Sequence, residues 1–453
     1  MTVQISRILH AGYLFSCGDS TIAFDPIVEN PFSRNCHAFP AVAFDEARIR
    51  ALRLSAVFIS HFHDDHCSLE SLDLLERSTP IYIYCLFDEL FAMVRELGFV
   101  NVQALAIDVP VQVGPFAVTP RRALDADVDS MFHIAAEGLN ILNVVDSWID
   151  PEDLPALVRH APWDMVLWPF QTMREIDVLA PSRATPAPPT LPDDWLEHLA
   201  LLAPRYIVPS SCQFVQEAWS WYNHAFFPIT YRQFQQEIEA ALPQSSVLRL
   251  NPSVSVLLDR TSLRPAAPLE WVVPIGAQDV DYDYQPARTP PSTAAIARHF
   301  APLSAAQAST VAAYCQAGLP ATYRAMELPE DSFFEQPRHW RLSVYDHLGA
   351  ATHYHYLVHG DAITATAAAT ELAWSTEIPA AKLYAGLALG ESLTSMYLRI
   401  NDGAFTPAIE AEQRTADLVD DPLIRCLFDD AFGAYQAAQL RRLKERDQRA
   451  PAQ

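Results

Sequence analysis

The segment SHFHDDHCS at residues 60–68 constrains this chain more than any other part of its sequence. It follows the apolar, β-branched run SAVFIS, which predicts a buried strand ending at His61, and it precedes SLESLDLLERS, whose apolar spacing predicts a helix. His61, His63, Asp65 and His66 therefore lie within six residues at the junction of a strand and a helix. Three imidazoles and a carboxylate beside a core need compensation, and a divalent cation supplies it.

The spacing of these side chains fits one or two metal ions. In an extended segment His61 and His63 point to the same side, and the turn into the helix brings Asp65 and His66 to a neighbouring position. One ion can take the first pair and a second ion the other pair. Imidazole nitrogen and carboxylate oxygen predict Zn²⁺, with Fe or Mn as the alternatives. A solvent-exposed, histidine-rich loop is the competing interpretation.

The H-x-H-x-D-H pattern resembles the signature of the metallo-β-lactamase-fold superfamily. HAGYLFSCGDSTIAFDP at 10–26 resembles the opening hairpin of that family, and GLNILNVVD at 138–146 resembles its later strand that ends in a metal-bridging aspartate. The resemblance covers roughly residues 1–260. It implies an α/β fold, an αββα sandwich with the metals at the sheet edge, and it makes Asp146 the bridging ligand.

Strand and helix patterns along the chain predict the same fold class. VQISRIL, GYLFSC and STIAFDP predict three successive strands, with Gly18-Asp19 as a two-residue hairpin turn between the second and third. Helical patterns such as FDEARIRALRL then alternate with apolar strands such as SAVFIS and IYIYCLF. This alternation is typical of sheets covered by helices.

A narrower resemblance points to one branch of the superfamily. DSMFHIAAEGLNILNVVDSWIDPEDLP, RYIVPSSCQF and WYNH are similar to the branch that contains CMP-N-acetylneuraminate hydroxylase. That enzyme carries a Rieske iron–sulfur domain, which needs Cys-x-His and Cys-x-x-His pairs, and this sequence has neither. Hydroxylation by this chain would therefore need electrons from a partner or a cosubstrate.

The sequence departs from the family at two ligand positions. The further histidine expected before the bridging aspartate is missing, and RRALDADVDSMF offers aspartates instead, of which Asp127 is the predicted replacement. A solvated turn is the competing interpretation, and His133 in the following strand is interpreted as structural. For the missing last histidine, His224 in WSWYNHAFF is the nearest candidate, while Asn223 would alternatively orient substrate. With fewer ligands at the second position, use of a single metal ion stays open.

Composition and charge exclude several function classes. The chain has 31 Lys+Arg against 55 Asp+Glu, a formal charge of -24, so a polyanion such as nucleic acid would be repelled. No Gly-rich phosphate loop occurs. The seven scattered cysteines predict reduced thiols, and the N-terminus lacks signal-peptide features. We therefore expect a cytoplasmic protein that acts on a small molecule, without nucleic acid and without membrane insertion; assembly into a homo-oligomer stays open.

The predicted domain organisation has three parts: a catalytic domain at 1–262, a Pro-rich linker and helix at 263–330, and a small C-terminal α+β domain at 331–453. A Pro-rich stretch at 180–195 is interpreted as an insertion loop. In the third part, WRLSVYD and THYHYLVHGD predict a hairpin, IPAAKLYAGLALG a helix, and DPLIRCLFDDAFGAYQAAQLRRLKER a long terminal helix. His353 and His355 on the hairpin have no carboxylate or cysteine nearby in sequence, which favours an exposed face.

The leading functional prediction is a metal-dependent hydrolase acting on an ester, amide or phosphodiester. Its ions would be held by His61, His63, Asp65, His66 and Asp146, and Asp65 or an aspartate of the 125–129 run would orient the metal-bound hydroxide. Asp65 and Asp146 are the predicted catalytic residues. A non-haem di-iron or iron–manganese oxygenase on the same fold is the alternative, motivated by the aspartates and by the branch resemblance. A binding or assembly protein with a vestigial metal site is the third hypothesis, against which the intact H-x-H-x-D-H pattern argues.

Overall fold

The protein is described here by a computed structural model that covers residues 2–326, 332–369, 371–391, 393–416, 420–428 and 433–449. The chain forms two compact units. The first comprises residues 1–173, 187–284 and 439–453, and the second comprises residues 174–186 and 285–438. The two large sheets of the described residues lie in the first unit, and a five-stranded sheet lies in the second.

Twenty-four strands are seen in the described residues. They are β1 (Val3–Arg7), β2 (Tyr13–Cys17), β3 (Ser20–Phe24), β4 (His37–Ala38), β5 (Val42–Phe44), β6 (Ala56–Ile59), β7 (Ile81–Ile83), β8 (Val102–Ala104), β9 (Val111–Val113), β10 (Phe116–Arg122), β11 (Ser130–Ala136), β12 (Leu139–Asn143), β13 (Met165–Pro169), β14 (Tyr206–Ser210), β15 (Phe214–Val215), β16 (Ser246–Val247), β17 (Ser255–Leu258), β18 (Leu263–Ala266), β19 (Val272–Pro274), β20 (Arg338–Tyr345), β21 (Ala351–His359), β22 (Ala362–Ala365), β23 (Trp374–Pro379) and β24 (Arg399–Ile400).

The α-helices of the described residues are mostly short. They are α1 (Glu46–Arg50), α2 (Leu69–Asp73), α3 (Asp88–Glu96), α4 (Leu154–Val158), α5 (Glu175–Leu179), α6 (Asp193–Leu202), α7 (Tyr222–Ala225), α8 (Tyr231–Ala241), α9 (Thr293–Ala297), α10 (Ala305–Ala313), α11 (Leu319–Ala325), α12 (Ala380–Leu389), α13 (Pro407–Gln413), α14 (Pro422–Phe428) and α15 (Ala434–Arg449).

The first unit is a sandwich of two sheets with helices along the strand connections. One sheet has the order β18-β17-β1-β2-β3-β6-β7-β8, and the other has the order β16-β14-β13-β12-β11-β10-β9. Their apolar faces share one core, in which the ring centroid of Phe132 lies 5.0 Å from that of Phe24 and 6.1 Å from that of Phe58. The predicted αββα arrangement is confirmed.

Local sequence explains how the loop of residues 60–68 is held. β6 is buried on both faces, as its uninterrupted apolar sequence AVFI requires, and it lies parallel to β3 and β7. The helix that follows, α2, begins where the Ser68 hydroxyl accepts a hydrogen bond from Ser71 N at 3.3 Å. The predicted hairpin at Gly18-Asp19 also forms, with Cys17 paired to Ser20 and a positive φ at Gly18.

The topology gathers several strand ends at one edge of the sandwich. Because β3 and β6 are parallel, Asp25 and Ser60 follow their carboxyl ends side by side. In the facing sheet β12, β13 and β14 are parallel, and Asp146 and Ser211 follow the ends of the first and third of these strands. Loops at the carboxyl ends of parallel strands are where α/β folds place their ligands.

The second unit is built around a mixed sheet with the order β22-β21-β20-β23-β24. The predicted hairpin is confirmed as the antiparallel pair β20 and β21, and the predicted helix over IPAAKLYAGLALG is confirmed as α12. The predicted long terminal helix is seen as two helices, α14 in the second unit and α15, whose residues 434–438 belong to the second unit and 439–449 to the first. Residues 429–432 lie outside the described part of the chain. AITATAAA contributes the strand β22.

The unit division and the predicted domain boundaries fall at different residues. The predicted linker 263–330 contains β18, paired with β17 in the first unit, and the helices α9 to α11 of the second. The boundaries at 262 and 330 therefore stay predictions. Among the described residues, no helix combines the length and hydrophobicity needed to cross a lipid bilayer.

Candidate metal centre

The predicted metal loop folds into one tight turn. After β6 ends, the chain stays extended to His63 and then turns, with His66 N donating to His63 O at 3.0 Å and Cys67 N donating to the same oxygen at 2.8 Å. This turn brings His66 back beside His61, with ring centroids 4.0 Å apart, while the ring centroid of His63 lies 4.5 Å from that of His61. His61 and His66 are buried and His63 is exposed, so the loop opens to solvent on the side of His63.

One group of potential ligands consists of His10, Asp65, His66 and Asp146. His10 Nε2 lies 3.1 Å from His66 Nε2 and 3.1 Å from Asp65 Oδ2, and His66 Nε2 lies 3.0 Å from Asp146 Oδ2. Two imidazole nitrogens that approach each other this closely point at one common position. This group therefore offers two nitrogen and two oxygen donors to a single ion.

A second group consists of His61, His63 and Asp129. Its ligand atoms all lie within 4.8 Å of one another, and His61 Nε2 is 3.8 Å from Asp129 Oδ1. Asp129 directly precedes β11, and its backbone N donates to Asp125 O at 2.7 Å, so one turn of chain fixes its position. Two imidazoles and one carboxylate are a common donor set for a divalent transition metal.

Asp146 lies between the two groups. Its Oδ2 is 3.0 Å from His66 Nε2 in the first group, and its Oδ1 is 3.9 Å from His61 Nε2 in the second. The residue follows β12 and Val145, whose φ of 64° is unusual for a β-branched residue and redirects the chain at the strand end. Asp146 therefore lies between the two groups, and its role as a bridging ligand stays a prediction from the resemblance.

Five of the seven predicted metal-site residues come together: His61, His63, Asp65, His66 and Asp146. The other two, Asp127 and His224, belong to neither group of described residues. Asp127 is exposed on the turn before Asp129. His224 Nδ1 lies 3.2 Å from Asp283 O, and its side chain lines a separate, mostly apolar cavity of about 670 Å³ with Asn223, Val280 and Tyr282.

The structure adds His10 and Asp129, which the sequence interpretation did not select as ligands. His10 follows β1 with a positive φ of 52° and is fully buried, packed against the rings of Phe32 and Phe214. The available signal in the sequence was a histidine at the start of the family-like stretch HAGYLF. For Asp129, the signal was its place directly before the apolar strand SMFHIA, whereas Asp127 lies two residues further from that strand.

Asp25 and Ser60 contact the Nδ1 atoms of His66 and His61, on the side of each ring away from the cluster. Asp25 Oδ2 lies 3.1 Å from His66 Nδ1 and accepts from Ser60 Oγ at 2.7 Å, and Ser60 Oγ in turn lies 2.9 Å from His61 Nδ1. With Nδ1 engaged in this way, each ring presents Nε2 to the cluster. A carboxylate behind a ligating imidazole fixes its tautomer and raises its basicity. One buried carboxylate thus supports a histidine in each group.

The pKa shifts show how strained the cluster is without a cation. Burial and the neighbouring Asp146 raise the pKa of Asp129 to about 8. Burial, with His66 and His63 nearby, holds the pKa of His61 well below its usual value. Burial also opposes the charged form of His66, yet Asp146 and Asp65 raise its pKa well above normal. Close carboxylates and imidazoles shift one another in this way when no metal ion balances them.

The residues present fit two divalent cations. Asp129 Oδ1 and Asp146 Oδ1 are buried oxygens without a hydrogen-bond partner, a costly arrangement that a cation would relieve. Four imidazoles and three carboxylates are available. Together with the buried carboxylate of Asp25 behind His66, the three ligand carboxylates would balance the charge of two divalent ions. The donor set accommodates Zn²⁺, Fe or Mn.

His133, interpreted from the sequence as structural, lies away from the cluster. Its Nε2 is 3.0 Å from Asn140 Oδ1, and its ring contacts His160 and Trp163 with centroid separations of 4.6 Å and 4.7 Å. Burial lowers its pKa to about 4. A neutral imidazole packed against aromatic rings is what a core role requires.

The sandwich, the H-x-H-x-D-H loop after β6 and the position of Asp146 after β12 together form the arrangement that the resemblance to the metallo-β-lactamase fold implies, with a candidate two-metal centre. No sequence-family profile matches the chain, and no curated protein matches it.

Solved structures similar to this chain include two described as hydrolases and one described as a hydroxylase. Igni18, a metallo hydrolase from the archaeon Ignicoccus hospitalis, is 18% identical with a TM-score of 0.41, over 57% of this chain and 99% of that one. An isothiocyanate hydrolase from Delia radicum gut bacteria is 16% identical with a TM-score of 0.42, over 56% and 98%. The diiron β-hydroxylase CmlA from Streptomyces venezuelae is 15% identical with a TM-score of 0.38, over 57% and 53%. Similarity at this level says nothing about the reaction of this chain.

Proposed function

We propose that this chain is a metal-dependent hydrolase that uses two divalent cations. One ion would be held by His10, Asp65 and His66, the other by His61, His63 and Asp129, with Asp146 shared between them. The observation that carries the proposal is the position of Asp146, whose two oxygens face the two groups and whose Oδ1 is buried without a partner. A shared carboxylate between two donor groups is expected of a two-metal hydrolytic site.

Divalent cations at such a site lower the pKa of a water molecule towards neutrality and polarise the scissile bond. The chain's own residues would orient the water and fix the positions of the ligand rings. Asp65 and Asp146 are the acceptors placed to orient the water, because their side chains are 20% and 24% exposed while those of His10, His61 and His66 are 1% exposed or less. Asp25 and Ser60 would keep the buried rings of His66 and His61 from rotating.

The test compares three preparations: protein loaded with Zn²⁺ or Mn²⁺, metal-free protein, and the double variant His61→Ala/His63→Ala. Each is assayed with p-nitrophenyl acetate, an acyl p-nitroanilide and bis-p-nitrophenyl phosphate. We expect the loaded protein to hydrolyse at least one of them and the other two preparations to be inactive. Full metal content or full turnover in the double variant would contradict the proposal.

A second candidate function, an iron-dependent oxygenase, is favoured by one specific observation. His61, His63 and Asp129 form a two-histidine, one-carboxylate set, which is the donor set of non-haem Fe(II) oxygenases. The discriminating measurement is the metal content of protein purified without added metal. Iron with an oxygen-dependent optical change would favour the oxygenase, and stoichiometric zinc would favour the hydrolase.

A further inference from the structure

Large apolar side chains are exposed on two loops beside the candidate metal centre. Leu86 is 61% exposed and Phe87 is 40% exposed on the loop after β7, and Leu124 is 59% exposed on the loop after β10. Burying such side chains is favourable, and when they cluster at one site they commonly mark a binding surface. Leu86 and Phe87 are the only consecutive pair among the exposed large hydrophobic residues of the described chain.

The first loop reaches the metal loop through aromatic contacts. The ring centroid of Phe87 lies 5.9 Å from that of Phe62, and the centroid of Phe62 lies 5.1 Å from that of the exposed His63. Phe62 sits in the sequence between His61 and His63. The apolar surface therefore continues from Phe87 to the solvent side of the second ligand group.

The second loop lies beside the bridging aspartate. Leu124 N donates to Ser147 O at 3.2 Å and to Trp148 O at 3.1 Å, which places Leu124 next to the residues that follow Asp146. The two loops are also tied together, because the hydroxyl of Tyr84, which precedes the first loop, donates to Ala126 O in the second. Phe62, Leu86, Phe87 and Leu124 are named here the apolar rim.

The charge beside the apolar rim is negative. Asp125 and Asp127 are exposed on the same loop as Leu124. Arg122, just before Leu124, is paired with Asp150 at 2.6 Å and with Glu152 at 3.3 Å. Exposed carboxylates repel an anion approaching along this side. The surroundings therefore favour a neutral, apolar substrate over a phosphodiester.

We propose that the apolar rim binds the alkyl or aryl part of a neutral ester or amide substrate whose polar group lies at the metal centre. The inference rests on the metal centre of the proposed function and narrows its substrate class. It requires that affinity grow with the apolar length of a ligand anchored at the centre, and that a charged end group cancel this gain.

The experiment measures binding, so that it does not depend on turnover. Metal-loaded full-length protein is titrated calorimetrically with acetohydroxamate, hexanohydroxamate and adipic acid monohydroxamate, whose chain ends in a carboxylate. A fully buried methylene contributes about a fourfold gain in affinity, so we expect hexanohydroxamate to bind at least about tenfold more tightly than acetohydroxamate. The carboxylate-terminated probe should bind no more tightly than acetohydroxamate.

Variants of the apolar rim test whether its side chains cause the gain in affinity for the longer hydroxamate. Phe87→Ala and Leu124→Ala should each reduce the preference for hexanohydroxamate by about threefold or more, with metal content unchanged. Val100→Ala is the matched control, because Val100 is also an exposed apolar residue, at 81% exposure. Val100 precedes the start of β8, whereas Leu86 and Phe87 follow the end of β7. Since β7 and β8 are parallel, Val100 lies at the opposite edge of the sheet from the apolar rim. The two variants lie on different loops, so misfolding of one leaves the other informative.

The outcomes separate this inference from the proposed function. Equal affinity for the acetyl and hexanoyl probes, or a preference that survives both rim variants, would overturn the inference even if the protein hydrolyses p-nitrophenyl acetate. A chain-length preference that both variants weaken would support it even if no hydrolysis is found. In that case it is the hydrolase proposal that fails.

Discussion

His61 and His63 in the first unit have the same H-x-H spacing as His353 and His355 in the second, but their surroundings differ. His61 and His63 follow a buried strand and meet the carboxylates of Asp129 and Asp146. His353 lies exposed on β21, and its Nδ1 is 2.9 Å from Ser343 Oγ. Within the described residues no group of potential ligands forms around the second pair. Spacing alone does not make a metal site; carboxylates brought in by the fold do.

Buried carboxylates differ between the units in the same way. Asp421 in the second unit accepts from Trp374 Nε1 at 2.7 Å, from the Thr376 hydroxyl, and from the backbone N–H groups of Leu423 and Ile424 at 2.9 Å and 3.0 Å. Both of its oxygens are satisfied by the protein. Asp129 and Asp146 in the first unit each retain a buried oxygen without a partner. The first pattern stabilises a fold, and the second leaves a position for a cation.

The largest effect is expected from comparing the two histidine pairs directly. His61→Ala/His63→Ala should lower the bound metal from two ions per chain to one or none and abolish turnover, because two of the nitrogen donors are lost. His353→Ala/His355→Ala should change neither. Metal content by mass spectrometry decides the comparison, and metal loss in the second variant would show that ligands were assigned to the wrong unit.

The next largest effect is expected when Asp25 or Ser60, which orient the ligand histidines, is replaced. Asp25→Asn should weaken metal binding by about 10–100-fold, because the carboxylate that orients His66 and, through Ser60, His61 is lost. Competition with a chelator of known affinity measures this change. Ser60→Ala is the milder companion and should affect mainly the ion held by His61. Unchanged affinity in both variants would contradict a supporting role.

Asp421→Asn and Asp146→Asn should have opposite consequences. Asp421→Asn removes a hydrogen-bond acceptor from donors that stay buried, so we expect a loss of about 1–3 kcal/mol in the free energy of unfolding and an unchanged metal content. Asp146→Asn should lose metal, because the carboxylate that lies between the two ligand groups is gone. Denaturant unfolding measures the effect of Asp421→Asn, and mass spectrometry measures the metal content of both variants. Metal loss in both variants, or in neither, would remove the distinction between the two kinds of carboxylate.

The smallest expected effect is a change in the number of protons that the protein releases when it binds metal. Asp129, with its pKa raised to about 8, is mostly protonated in the metal-free protein at pH 7, and a cation must displace that proton. Metal affinity should therefore fall as the pH is lowered from 8 to 6. Calorimetry in buffers of different ionisation enthalpy should show that Asp129→Asn releases about one proton fewer at pH 7. An unchanged count would mean that Asp129 is already ionised or is not a ligand.

The same raised pKa has a consequence for stability. In the metal-free protein, the folded state holds a proton on Asp129 that the unfolded state releases above about pH 4. The folded state thus binds more protons, so the contribution of Asp129 to stability falls as the pH rises from about 4 to about 8. Bound metal should remove this dependence, because the carboxylate is then ionised in both states.

The fold and the core of the site were predictable because they depend on local patterns. The apolar run before His61, the helix after Ser68 and the hairpin at Gly18 are each encoded within about ten residues, and each is confirmed. Four of the clustered side chains lie within one such segment. Asp146 came from a resemblance, since nothing local marks it as close to His66, which lies 80 residues away.

The missed residues depend on long-range packing. His10 is 56 residues from His66 in sequence, and only the pairing of the strands brings their Nε2 atoms within 3.1 Å. The choice between Asp127 and Asp129 is set by one turn of chain, in which the backbone N–H of Asp129 bonds to Asp125 O and its side chain meets His61. His224 was predicted from order along the chain, yet its ring lines the apolar cavity beside Asp283.

Elemental analysis of the full-length protein, purified without added metal, tests the central claim most directly. Two donor groups that share Asp146 predict about two equivalents of a divalent metal per chain, and hydrolytic use predicts zinc. The His353→Ala/His355→Ala protein, analysed in parallel, should contain the same amount. Less than half an equivalent of any transition metal would contradict the two-metal centre, and two equivalents of iron with an oxygen-dependent absorbance would contradict the hydrolase.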